Sequence, residues 1–161
     1  MSPAISRLSP SNTVLLLCDL QEKFRPTIKY FDAIVKVSKR LIDAANLFEM
    51  KIIATEQSPK DLGHSVSELE LAKHNVQVFE KTNFSMCIPP VIEALGSAKS
   101  VILCGIETHV CILHTAFDLL EKGINVHMER AGAVLTTSEC AILSLLGSSD
   151  HPKYPEVQKM K

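Results

Sequence analysis

The stretch Thr13-Val-Leu-Leu-Leu-Cys18-Asp19 decides the fold. It runs apolar without alternation for six residues and stops at a carboxylate. A run of that length with no polar face is what a strand buried on both sides requires, and such strands belong to parallel sheets covered by helices. Directly downstream, Phe31, Ile34, Val35, Leu41, Ile42, Ala45 and Phe48 recur at helical spacing, which predicts an amphipathic helix packed over the first strand.

The same alternation continues along the chain. Residues 51–55 (KIIAT) read as strand two, 76–80 as strand three, 100–104 as strand four and 124–128 as strand five. Between them, 56–64 is a polar loop, and Ser65 with Glu68 has capping-box spacing, predicting a short helix to about His74. Pro89 and Pro90 suit the first turn of a helix that Gly96 ends. The stripe Ile112, Thr115, Ala116, Leu119 and Leu120 marks a further helix ending near Gly123. Strands alternating with helices make the class α/β with a parallel sheet.

The C-terminal third breaks this rhythm. Residues 132–136 read as a strand only four residues after strand five, whereas a parallel crossover needs a dozen or more. The chain therefore makes an antiparallel turn here or lacks a crossover. Residues 138–146, with Thr137 as cap, form the last clear helix, and 155–161 add a turn.

At 161 residues the chain is one domain, read as a flexible segment 1–12 followed by a single unit 13–161. Seventeen Lys plus Arg against 18 Asp plus Glu leave a net charge of −1, without the basic footprint of a nucleic-acid binder, so the expected partner is a small molecule. No apolar run reaches the roughly 18 residues that span a bilayer. The cysteines at 18, 87, 104, 111 and 140 contain no CxxC pair, which fits neither a zinc site nor a disulfide framework. A reducing compartment follows, with the cytoplasm expected. Residues 1–12 lack the apolar core of a secretory signal and leave a mitochondrial or other organellar presequence open.

Ligands of open parallel sheets bind at the carboxyl ends of the strands. Asp19 follows strand one, Lys81 follows strand three, and Cys111 lies in Gly105-Ile-Glu-Thr-His-Val-Cys111, just inside the helix after strand four. A cysteine near a helix start, with an ammonium beside it, tends toward the thiolate. Asp19 can take its proton and Lys81 can hold the anionic partners together. Taken singly, the three read more plainly as a core thiol, a surface lysine and a turn cap; their convergence favours catalysis. Cys18 and Cys104 read as core, and Cys87 and Cys140 carry no pattern. His109 and His114 read as structural histidines. Phe24, Phe84 and Gln57 are candidate pocket residues, with core packing the equal alternative for the two rings. No GxGxxG follows strand one, where Asp19-Leu-Gln-Glu-Lys23 stands, so no dinucleotide cofactor is expected.

LLLCDLQEKF (15–24), EKTNFSM (80–86) and GIETHVCI (105–112) resemble the three signatures of the isochorismatase-like cysteine hydrolases. TEQSPKDLG (55–63), LTTSE (135–139) and HPKYPEVQK (151–159) resemble, more narrowly, the animal isochorismatase domain-containing proteins. The resemblance implies a Rossmann-like three-layer sandwich of strand order 3-2-1-4-5-6 and an Asp19-Lys81-Cys111 triad that works without a cofactor. It also implies a cis peptide between Ile106 and Glu107; the oxyanion donors expected at the helix start are the backbone N–H groups of Glu107 and Cys111, and the expected assembly is a homo-oligomer. Two departures stand out. The Asp-x-His metal pattern of nicotinamidases is replaced after strand two by Thr55-Glu56-Gln57-Ser58, so no metal is expected and nicotinamide drops out as substrate. The chain also passes from Met128 directly to Glu129-Arg130-Ala131-Gly132 where the family completes strand five and a helix, a shortened C-terminal edge such as a splice form or a gene-model error would produce. Isochorismate cleavage does not use the cysteine, so the resemblance points Cys111 toward amide, carbamoyl or related C–N substrates. The alternative is a catalytically silent module for interaction or oligomerisation, because a lost crossover opens a sheet edge.

Overall fold

Strand β1, Thr13–Cys18, is buried at every position and lies at the centre of a five-stranded parallel sheet of order β3-β2-β1-β4-β5. The computed structural model describes residues 7–128, 142, 145 and 151–159. Its other strands are β2 (Lys51–Gln57), β3 (Gln77–Lys81), β4 (Ser100–Gly105) and β5 (Asn125–His127). The fold is α/β and Rossmann-like, and the observed order is the first five places of the expected one. A sixth strand at 132–136 and most of the helix at 138–146 lie outside the described residues; positions 142 and 145 are helical and buried.

Alternation along β1 explains the three layers. Leu15 and Leu17 face helix α1 (Phe31–Leu47), which buries Phe31, Val35, Leu41, Ile42, Ala44 and Ala45 against that side of the sheet. Val14, Leu16 and Cys18 face the opposite cluster, with Val91 and Leu95 from α3 (Pro89–Leu95) and Ala116 and Leu119 from α4 (Leu113–Glu121). Each fully buried leucine is worth about 1.5–3 kcal/mol relative to exposure, so the unalternated run is what holds both helical layers to one sheet. A last helical turn, Tyr154–Gln158, sets Val157 into the α1-side cluster. Among the described residues no helix is long and apolar enough to cross a membrane.

Several boundaries differ from the sequence reading, each for a visible reason. Strand β2 runs two residues further than expected because Glu56 and Gln57 pair with Glu80 and Lys81, which also makes Lys81 the last residue of β3, not the residue after it. The loop beyond β2 contains a four-residue helix, α2 (Pro59–Leu62). The expected helix from Ser65 is instead two 3-10 turns, Ser67–Leu69 and Leu71–His74, divided at Glu70 in the left-handed region (φ 51°). Ser65 caps nothing there: its N–H and hydroxyl both donate to Glu56, at 2.7 and 2.8 Å. Although burial pushes the Glu56 carboxyl up, these bonds and His64 at 2.9 Å hold it below the usual carboxylate range.

At the other edge, β5 is short. It pairs with β4 only from Ser100 to Ile102, while β4 pairs with β1 all the way to Gly105. Beside the last residues of β4 lies a groove of about 670 Å³ lined by Ile34, Val37, Ser38, Leu103, Cys104 and Met128, among others.

Gly105 fixes how β4 leaves the sheet. It sits opposite Cys18 with φ 125°, and a Cβ there would lie 2.1 Å from the Cys18 carbonyl oxygen. The next bond, Ile106–Glu107, is cis as expected, and the Ile106 N–H donates back to that same carbonyl at 3.0 Å. Gly105→Ala is therefore expected to destabilise the fold by about 2–4 kcal/mol in equilibrium urea unfolding. Gly123→Ala, at φ 75° with open space around it, is expected to lose about 1 kcal/mol. Equal midpoints for the two variants would contradict this account of the β1–β4 junction.

Candidate active site

Asp19 leaves β1 in the left-handed region, φ 52°, so the side-chain alternation of the strand ends there. Its carboxylate, 1% exposed as a residue, accepts from Lys81 Nζ at 2.7 Å, Thr55 Oγ1 at 2.8 Å and Cys18 Sγ at 3.5 Å. A short polar side chain is among the few that tolerate this backbone, since it bonds locally instead of packing.

Lys81 is as fully enclosed as its partner. Besides Asp19, its ammonium reaches Gln57 Oε1 at 2.6 Å and the carbonyls of Asn83 and Phe84, both at 3.0 Å. Gln57 is itself held in place: its Nε2 donates to the Thr82 carbonyl, and its backbone exchanges two hydrogen bonds with the buried Gln21 side chain. The lysine lies 3.8 Å from Cys111 Sγ.

Cys111 is placed by a π-helical turn, Thr108–Ile112, that leads into α4; the sequence reading set it in the helix proper. The Glu107 carbonyl accepts from Val110 at 3.1 Å and from Ile112 at 3.2 Å, the second bond spanning five residues and so widening the turn. The Glu107 N–H is taken up by no acceptor among the described residues. Thr115 donates to the Cys111 carbonyl at 2.6 Å and accepts from the Met86 N–H at 2.9 Å, tying α4 to the loop after β3. The Cys18 thiol draws the Cys111 pKa below that of an ordinary cysteine; Lys81 adds to this, while burial and Asp19 oppose it.

The structure thus brings Asp19, Lys81 and Cys111 together at the carboxyl edge, with Gln57 against the lysine. Phe84 touches the cluster through its carbonyl; its ring is 55% exposed and lies 5.7 Å from that of His114. Phe24 is half-buried against the α1-side core. His109 is exposed, 3.5 Å from Glu107, and not a core histidine. Cys104 is half-buried, its thiol pushed up to about 12 by burial; Cys87 is half-buried as well, and Cys140 lies outside the described residues.

Three participants were missed. Gln21 and Thr55 sit one position beyond or inside runs that read as turn and strand, and Thr115 read as part of an apolar stripe. Cys18 read as core, and it is buried, but its sulfur, Cys111 Sγ and an Asp19 oxygen all lie within 4.8 Å of one another. Two thiols and a carboxylate would suit a soft cation, yet the positive charge that Asp19 and Cys111 converge on is the Lys81 ammonium.

Comparison with known proteins bears on the family and the fold. Residues 13–139 match the isochorismatase domain. The chain is 45% identical to isochorismatase domain-containing protein 2 of Xenopus laevis over 179 aligned positions, covering 97% of this chain and 86% of that protein. Its fold superposes on the solved structure described as MAR1 ribonuclease from Caenorhabditis elegans with a TM-score of 0.91 and 49% identity, covering 96% and 92% of the two chains. An octameric hydrolase of unknown specificity from Escherichia coli, the YcaC gene product, shares the fold at TM-score 0.81 and 20% identity over 99% and 96% of the chains. With more than half its length matched to the domain and a relative at 45% identity, this chain belongs to the isochorismatase family of hydrolases.

Proposed function

We propose that the chain is a cofactor-free cysteine hydrolase of small amides, carbamoyl compounds or related C–N substrates, with Cys111 as nucleophile. The observation that carries this reading is the meeting of a thiol of lowered pKa with a buried ammonium at 3.8 Å and a carboxylate bound to that ammonium. Asp19 takes the Cys111 proton, and the thiolate forms a C–S bond to the substrate carbonyl. The oxyanion is held by the N–H groups of Glu107 and Cys111. Collapse breaks the C–N bond, and Asp19 returns the proton to the leaving amine. Water then attacks the thioester, with Asp19 accepting its proton and passing it to the departing sulfur. Lys81 keeps Asp19 and Cys111 adjacent in spite of their like charges, and Gln57 and Phe84 shape the pocket.

Residues 13–161 act as one catalytic domain in this reading, in a reducing compartment such as the cytoplasm. Self-association into a homo-oligomer fits the exposed rings of Phe84 and Phe117 and the assembly described for the E. coli neighbour. A second reading, RNA cleavage, is favoured by the description of the worm relative as a ribonuclease. The net charge of −1 weighs against it.

Two measurements test the proposal. Iodoacetamide is expected to label Cys111 ahead of the other cysteines and at pH well under the ordinary thiol value of about 8.5. Because only the thiolate reacts, the rate falls as pH drops through the lowered pKa, and Lys81→Ala slows it about tenfold at pH 7, as a shift of one unit predicts, while Lys73→Ala does not. Uniform labelling, or equal rates in the two variants, would remove Cys111 or Lys81 from the mechanism. In parallel, intact-mass analysis with a panel of small amides and ureides is expected to reveal an acyl adduct that Cys111→Ala abolishes. Turnover of RNA with no adduct from any amide would favour the second reading, and neither activity would leave an interaction module.

A further inference from the structure

We propose that Cys18 is a positioning residue for the nucleophile, a second thiol whose S–H donates to the Cys111 thiolate so that the pair holds one proton between them. This rests on reading Cys111 as the nucleophile. Cys18 is the last residue of β1 and is 0% exposed, so neither solvent nor a small reagent reaches it. In the structure its S–H donates to Asp19 Oδ2 at 3.5 Å, and the second candidate acceptor, Cys111 Sγ, lies within 4.8 Å. The titratable and charged groups facing it are Asp19 at the end of its own strand, Lys81 from β3 and Cys111 from the π turn.

Competition between the two acceptors decides which one the thiol serves. Asp19 is already supplied, with Lys81 on Oδ2 at 2.7 Å and Thr55 on Oδ1 at 2.8 Å. An ionised Cys111 has only Lys81, at 3.8 Å, and Lys81 spends its three N–H groups on four oxygens at 2.6 to 3.0 Å. The thiolate is therefore the acceptor short of a donor, and a hydroxyl or thiol rotor that turns toward it supplies one. Cys18 can play this part because it does not itself ionise: burial, Cys111 and the Asp19 charge hold its thiol well above the usual range. Cys111 moves the opposite way, with Cys18 the largest cause. Two neighbouring thiols whose pKa values separate in this way behave as one titrating unit, the lower step belonging to the accessible sulfur.

The role predicts a titration signature that a core residue would not give. Alkylation of Cys111 by iodoacetamide, followed by peptide mapping on the full chain between pH 5 and 9.5, is compared in wild type, Cys18→Ala, Cys18→Ser and Cys104→Ala. Cys18→Ala is expected to move the midpoint upward and to slow labelling at pH 6.5 by about five- to tenfold, the loss that a shift approaching one unit predicts. Cys18→Ser, which keeps a donor of similar size, is expected to restore most of the rate, and Cys104→Ala, which removes another partly enclosed thiol, to match wild type. Thermal unfolding of each variant verifies that it is folded; where Cys18→Ala is not, Cys18→Val fills the space without a donor and takes its place. Coincident profiles for wild type and the donor-free variant, with Cys111 still reactive at low pH, would overturn the role of Cys18 and leave the nucleophile standing. A wild-type Cys111 that labels no faster than Cys104 would overturn the nucleophile, and the role of Cys18 with it.

Discussion

The Lys81–Asp19 ion pair is the constraint around which the carboxyl edge of the sheet is built. Neither side chain reaches solvent, and two such charges cost several kcal/mol each to remove from water. Their mutual attraction at 2.7 Å offsets that cost only if the remaining donors and acceptors are also satisfied, and here they are. The ammonium finds oxygens from β1, β2 and the loop after β3; the carboxylate finds donors from β1, β2 and β3. Gln21 and Gln57 form the outer support, fixing the one side-chain oxygen that the lysine needs beyond its partner. Breaking such a pair from one side leaves an uncompensated charge worth about 3–5 kcal/mol, comparable to much of the stability of a small domain. The local geometry of the site is thus a condition of folding there.

How much of this was legible in the sequence follows from which interactions are local. The β1 run, the α1 stripe, the paired prolines of α3 and the glycine after it are short-range signals, and all of them appear in the structure where the pattern put them. Strand ends were less legible because they are set by partners: β2 extends to Gln57 only because β3 runs beside it to Lys81. Ser65 and Glu68 had the spacing of a cap, but a glutamate nine residues before Ser65 captured its donors instead. Of the candidate site, Asp19, Lys81 and Cys111 were visible as chemistry at strand ends. Cys18 was not, since its place in the apolar run assigns it to the core, and only the left-handed turn at Asp19 brings the next side chain back toward it. The π turn at Cys111 was equally hidden, because its apolar positions satisfy an ordinary helical stripe.

The alignment with the frog relative is longer than this chain. That alignment spans 179 positions, more than the 161 residues of this chain, so the relative carries residues that have no counterpart here. In the structure β5 accompanies β4 for three residues, and 103–105 have no described strand partner on that side. The groove of about 670 Å³ opens there. Its lining is mostly apolar, and it includes Ser38, whose buried hydroxyl has no hydrogen-bond partner among the described residues. Wherever strand backbone is left unpaired beside apolar side chains, it is a liability for self-association.

That liability does not reach the chemistry by the same route. The β1–β4 ladder is continuous to Cys18 and Gly105, on the side of β4 away from β5, and the Ile106 N–H closes it against the Cys18 carbonyl. Every group that meets at Cys111 comes from β1, β2, β3 or the turn after β4, all on the intact side of that ladder. β5 meets Cys111 in the α4-side cluster, where Val126 and Met128 pack with Ile112, Ala116 and Leu119. A disturbance at β5 therefore reaches the packing behind the π turn before it touches the ion pair, so the stability of that edge and the mutual placement of thiol, ammonium and carboxylate are set by different contacts.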